Sequence, residues 1–262
     1  MQVSHRSRLD GRRSQGITLW LGWVLALVVA AGFAGLGQWQ LARMHEKQAM
    51  LDAAAKALDR SNPQPLLMAS DPVRGRTYDW AKGRGSMAGT TVWLDNQIRE
   101  GRPGLRMYCV LLPDEGVQAL LVDAGWWPLD GRRTLPTFGC PTQSMQAVRG
   151  LLAPPPSSGL AHGDAMAASG PQRWLAARLD LPAIARELKL SAGLSPRVLR
   201  LDPVREQGDA GAMLVPGQRD LEILPNTVTP QRHLGYAVQW FALALAVLAV
   251  ATVLTLRSRR SR

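Results

Sequence analysis

The chain carries no recognisable catalytic signature: there is no GxSxG elbow, no HExxH pair and no P-loop. The segment Gly83–Gly89 misses the dinucleotide-binding fingerprint by one residue in spacing and reads as a loop. Carboxylates are plentiful, yet none falls in a pattern that predicts an acid and base pair. Cysteine is scarce. Cys109 and Cys140 are the only two, and neither belongs to a CxxC or zinc-like cluster. An extracytoplasmic domain would permit a disulfide between them, but the plainer reading makes Cys109, inside the apolar stretch Leu105 to Leu112, a small buried residue. Lysine is also rare, four against 27 arginines, which suggests a GC-rich bacterial genome.

Charge is missing altogether from two long apolar runs, Ile17 to Leu36 and Gly235 to Leu256. At a helical rise each is long enough to cross a hydrocarbon core of about 30 Å. A helix satisfies its own backbone polar groups in lipid, so two separated runs predict two transmembrane helices, over 17–39 and 233–256. The net charge of +11 is concentrated accordingly. Residues 1–39 and 233–262 hold eight Arg and one Asp, whereas 40–232 hold 23 basic and 19 acidic side chains. Arg6, Arg8, Arg12 and Arg13 precede the first run, and Arg257, Arg259, Arg260 and Arg262 follow the second. The positive-inside rule places both tails, 1–16 and 257–262, in the cytoplasm and residues 40–232 outside. Excess charge confined to tails is no footprint for nucleic acid, and lipid is the expected partner of these segments. The first run exceeds a typical signal-peptide core, so it is expected to be retained, and the 16 residues ahead of it are short for a mitochondrial presequence. Together these features point to a bacterial inner membrane.

The residues between the spans are enough for one domain with its own core. Gln40 to Leu58 lacks Pro and Gly and is rich in Ala, Leu and Lys, which predicts a helical stalk continuing the first span. Ser61-Asn62-Pro63-Gln64-Pro65 ends it. Beyond Asp71 the helical period gives way to short β-type runs: Val73 to Trp80, Thr90 to Gln97, Leu105 to Leu112, Val117 to Asp123, Gln146 to Leu152, Gln172 to Ala176 and Arg197 to Asp202. Arg99–Gly104, Pro113–Gly116 and Asp130-Gly131 carry the residues that tight turns prefer. Pro154 through Gly170 reads as a surface loop, and Pro182 to Leu190 as a short helix with proline in its first turn. The expected architecture is two transmembrane α-helices flanking one α+β, mainly antiparallel β domain, its sheet either open or closed into a barrel, with 71–229 mostly β.

Four histidines offer imidazoles as candidate metal ligands. His5 falls in the basic tail and His162 in the loop, whereas His45 and His233 each stand near the domain-side end of a membrane helix. Tyr236 and Trp240 follow His233 at i+3 and i+7, which predicts one shared helix face. A flat apolar macrocycle with a metal centre would find there an imidazole ligand and two aromatic walls. Interfacial enrichment of Tyr and Trp explains the same aromatics, as it does Trp20, Trp23 and Trp39. Arg43 and Lys47 form a polar stripe just outside the membrane, suited to lipid headgroups or to anionic propionates and carboxylates. Ala31 with Gly35, and Ala242 with Ala246, offer small-xxx-small faces for close helix contact.

Gly37-Gln38-Trp39-Gln40-Leu41-Ala42-Arg43 followed by Lys47, and Pro230-Gln231-Arg232-His233-Leu234-Gly235-Tyr236-Ala237-Val238-Gln239-Trp240-Phe241, resemble the span-flanking motifs of the surfeit locus protein one family. Leu94-Asp95-Asn96 with Gly101-Arg102-Pro103-Gly104, and Leu120-Leu121-Val122 with Gly125-Trp126, resemble its central strands. The chain departs from the family pattern at Asp123-Ala124, where Asn-Arg is usual, and at Leu112-Pro113, where Thr-Pro is usual. The resemblance implies a non-catalytic assembly factor for haem-copper cytochrome c oxidase, assisting delivery of haem a to the core subunit alongside haem a synthesis or assembly proteins. It makes His233 the candidate haem-iron ligand, and Trp39, Arg43, Tyr236 and Trp240 candidates for shaping the site. The competing expectations are a membrane scaffold that holds assembly intermediates without binding haem, and a membrane-anchored hydrolase.

Overall fold

A computed structural model of the chain describes residues 4–59, 62–116, 118–157, 163–204, 218–224 and 227–260. His162 and Val117 lie outside the described residues, as do the side chains of His5 and Gln146. The fold divides into two compact units, Met1–Ala49 with Val228–Arg262, and Met50–Thr227.

The first unit is a pair of helices. Helix α1 (Ser4–Leu58) runs unbroken through the expected span and stalk, because nothing between Ile17 and Leu58 interrupts it with a proline. Helix α3 (Pro230–Arg260) begins where Thr229 accepts a hydrogen bond from the Arg232 N–H and Pro230 occupies the first helical position. Both helices are long and apolar enough to cross a membrane. The less exposed positions of α1, Leu19, Trp23, Ala26, Ala30, Phe33, Gly37, Gln40 and Met44, recur at alternating steps of four and three. Pro230, His233, Ala237, Trp240, Ala244, Val247, Ala251 and Thr255 do nearly the same on α3. That is the heptad seam of a left-handed pair, with small residues permitting close approach. Cross-contacts run along it: Gln40 to His233, Phe33 to Trp240 with ring centroids 5.5 Å apart, and the Trp23 indole N–H donating to Thr255 Oγ1 at 2.9 Å. The expected small-xxx-small pairs are not part of it, since Ala31, Gly35, Ala242 and Ala246 are exposed.

The second unit is built on one eight-stranded sheet. Its strands are β1 (Gln64–Pro65), β2 (Asp79–Leu94), β3 (Gly104–Pro113), β4 (Ala119–Pro128), β5 (Thr142–Ala153), β6 (Met166–Gly170), β7 (Arg173–Ala176) and β8 (Leu194–Leu201). Helix α2 (Leu181–Glu187) precedes β8 and is capped by Asp180, whose carboxylate accepts from the Ala183 N–H. The first half of β2 pairs antiparallel with β5 and its second half with β3, so the order β3-β4-β8-β5-β2 closes on itself. Only β4 and β8 within this ring are parallel. In chain order the ring reads first, second, third, fifth, fourth and back to first, the connectivity of an OB-type barrel. Trp93, Leu105, Leu111, Leu120, Leu152 and Leu199 belong to one buried cluster, while α2 packs Ile184 into a second with Val92, Val110 and Val198. Full burial of each such aliphatic side chain contributes about 1.5–3 kcal/mol.

Three expectations need correction. Gly83–Gly89 is the middle of β2, not a loop. Its glycines serve contact: a Cβ at Gly85 would strike the Leu112 carbonyl of the paired strand, and Gly89, at φ 74°, lies within the bulge that separates the two register segments. Val73 to Trp80 is mostly not strand. Asp71 accepts from the Val73 N–H and Pro72 opens a short 3₁₀ turn through Arg74, so pairing starts only at Asp79. The span Pro154 to Gly170 ends in an edge strand, β6, which forms a hairpin with β7 that its polar and small composition conceals.

Cys109 and Cys140 are joined in a disulfide, contrary to the reading of Cys109 as an isolated buried thiol. The bond fastens the segment between β4 and β5 to β3, and the Cys140 N–H also donates to Thr91 Oγ1 at 2.8 Å. Closing a separation of 31 residues stabilises the fold by roughly 3–4 kcal/mol through the unfolded chain's entropy. Charged residues are buried as well. Asp220, just before α3 in the chain, receives Arg99, Arg106 and Arg200 at 3.0, 2.8 and 2.9 Å, and Arg106 also meets Asp123 at 2.9 Å. This network clamps the segment 218–224 onto the barrel, where Gln218 forms a β-bridge with Trp126. Fully buried Arg197 similarly pairs with Asp79 at 2.6 Å.

Candidate functional site

His233 sits in the first turn of α3, on the seam with α1, and is only 8% exposed. Its Nδ1 lies 2.6 Å from Gln40 Oε1. An amide oxygen only accepts, so with Gln40 Oε1 turned to the ring the pairing is that of the Nδ1–H tautomer, whose lone pair is on Nε2. A hydrogen bond that fixes the tautomer and orients the ring from behind is what a metal-binding imidazole needs. Sequence reasoning missed Gln40 as a partner. The signal was available, because Gln40 stands seven residues after Phe33 and three after Gly37, in the same heptad register.

Gly37 sets how closely the helices approach here. A Cβ at this position would lie 2.8 Å from the Phe241 ring, so any larger residue must displace that ring. Trp240 packs against Phe33, which makes a tilted aromatic pair one heptad further along the seam. Tyr236 does not join them. Three residues beyond His233, it is rotated off the seam and 43% exposed. Trp39 is 54% exposed and also faces away from the α1–α3 contact. The two aromatics thus flank the histidine's end of the pair without walling it in.

Arg43 and Lys47 bring positive charge close to the imidazole, and Glu46 brings negative charge. Arg43 pairs with Glu46 on the exposed face of α1. His45 is exposed and off the seam, so helix-end position alone recommended it. The structure therefore sets His233 against Gln40 with the charges of Arg43, Lys47 and Glu46 nearby, places Trp240 two turns further along the same seam, and leaves Tyr236 and Trp39 exposed. Among the described residues no three His, Cys, Asp or Glu side chains converge on one metal position. An iron bound at His233 must therefore bring its remaining ligands with it, as the iron of a haem macrocycle does. One imidazole whose other nitrogen is held by Gln40 is a donor that fits such a group.

The SURF1 family model matches residues 27–245, which takes in both helices' motifs and the whole barrel. The chain belongs to the SURF1 family. Comparison with curated proteins yields no match. The SURF1 family is a family of assembly factors associated with cytochrome oxidase, and the two long apolar helices make this member a membrane protein.

Proposed function

We propose that this chain receives haem a at the His233 end of the helix pair and assists its transfer to the core subunit of a haem-copper cytochrome c oxidase. The observation that carries the reading is the Nδ1 contact to Gln40, which leaves Nε2 as the free nitrogen. His233 would hold the haem through its iron, which is the chemistry the group would supply. The chain's own residues do the rest: Gln40 orients the imidazole, Trp240 with Phe33 adds aromatic surface further along the seam, and Arg43 and Lys47 bring cations that would attract anionic propionates. A single protein ligand would suit cargo that must leave again. The partners in this reading are the oxidase core subunit and the proteins that make or hand over haem a.

The same reading places the protein in a bacterial inner membrane with both termini cytoplasmic and the barrel outside. The arginine-rich tails support this orientation, and so does the Cys109–Cys140 disulfide, a bond that persists in oxidising compartments. The test is complementation of a strain that lacks its own factor. His233→Ala is expected to restore little oxidase-bound haem a while accumulating in the membrane at the wild-type level. Full oxidase haem a content with His233→Ala would leave the haem-free scaffold as the better account.

A further inference from the structure

The arginine-bearing end of the helix pair holds a feature that haem handling does not use. Between α1 and α3 lies a cavity of about 430 Å³, within the range of small-molecule clefts. Its lining is almost wholly apolar: Gly22, Leu25, Ala26 and Val29 on one helix face Val247, Val250, Ala251 and Leu254 on the other. Glycine and alanine leave room that a packed seam would fill. The one polar pair, Trp23 with Thr255, is satisfied internally, since Thr255 Oγ1 takes the indole N–H and donates to the Ala251 carbonyl. Leu19 to Val29 along α1 corresponds to about 15 Å of helix, roughly half the hydrocarbon core and so one leaflet.

Charge identifies the occupant. Arg257 follows Leu254 by three residues and Val250 by seven, Arg259 follows Thr255 by four, and both exposed arginines thus continue the rim of the cavity past the apolar run. An apolar slot one leaflet deep, closed at its headgroup end by arginines, is complementary to a lipid with an acyl chain and an anionic phosphate. We infer that one anionic phospholipid of the leaflet at the arginine end binds here, its chain between α1 and α3 and its phosphate on the arginines. The inference is independent of the haem reading and rests on different residues.

Native mass spectrometry of the full-length protein, loaded from mixed phosphatidylglycerol and phosphatidylcholine micelles, tests it. Gly22 has open space where a Cβ would go, so Gly22→Leu fills the cavity without a backbone clash. Gly32 is equally open but outside the lining, so Gly32→Leu adds the same bulk elsewhere. The wild type is expected to retain one phosphatidylglycerol in preference to phosphatidylcholine. Gly22→Leu should lose that lipid, Gly32→Leu should keep it, and the triple variant Arg257→Gln, Arg259→Gln, Arg260→Gln should lose the headgroup preference. Equal retention of both lipids by the wild type overturns the inference. So does retention by Gly22→Leu at the wild-type level, or equal loss in Gly32→Leu, either of which describes a general lipid annulus.

Discussion

At the scale of single residues the site is defined by a pair that the sequence names only in part. His233 stands out in the sequence because it begins an apolar run beside aromatics. Gln40 does not, because a glutamine at the edge of a span has no chemistry of its own until a partner is opposite. The pairing is tertiary, and periodicity locates it only once both helices are read in one heptad register. The same register explains why Tyr236 was expected beside the histidine and is not on the seam: after the three-residue step from Pro230 to His233 the seam takes a four-residue step to Ala237, so Tyr236 falls to one side while Ala237 and Trp240 stay on it. If Gln40 orients the ring, Gln40→Leu should lower haem retained per protein by about 10-fold or more, as loss of an outer hydrogen-bond partner does at other metal sites. Haem content after a fixed wash measures this. Retention equal to the wild type would assign Gln40 a packing role only.

At the scale of elements, the strands with clear β-branched or apolar runs, β3, β5 and β8, were legible, as were α2 and the helical stalk. The misreadings share a cause. In β2 the glycines permit close approach to a neighbour and a bulge, and in β6 small residues form an exposed edge, so composition imitates a loop in both. The ionic network is equally illegible, since buried Asp123 and Arg106 and half-buried Asp220 look like surface charges until the barrel gathers them. Burial alone would raise the Asp220 carboxyl, but the Arg106 and Arg200 guanidiniums outweigh it and hold the group below its ordinary value of 3.8. A folded value lower than the unfolded one contributes stability above the ordinary carboxylate range and loses it as pH falls through the lowered value. Asp79, with Arg197 and Arg74 beside it, behaves in the same direction. Thermal melts of the full chain in detergent should therefore drop steeply below about pH 4. Asp220→Ala should cost about 3 kcal/mol at neutral pH, because it strips a carboxylate from buried guanidiniums, and it should flatten that acid limb. An unchanged melt at neutral pH would show that the clamp on segment 218–224 contributes no stability.

At the scale of the whole molecule, two apolar helices bracketing a barrel were readable from charge-free length and turn chemistry, while closure of the barrel and the disulfide were not. Closure depends on one long strand serving two neighbours, and a disulfide depends on which cysteines the fold brings together. The disulfide also reports on orientation. Thiol labelling of protein trapped in cells should find Cys109 and Cys140 unreactive until reduced, and labelling without reduction would contradict a barrel outside the cytoplasm. The central claim is that His233 holds haem a in passage, and absorbance of the purified full-length protein tests it most directly. Protein from cells that make haem a should carry a Soret band that His233→Ala loses or shifts, and protein from cells unable to make haem a should lack the haem a spectrum. A wild-type protein without bound haem, or a His233→Ala protein with the same spectrum and the same haem per chain, would contradict the account.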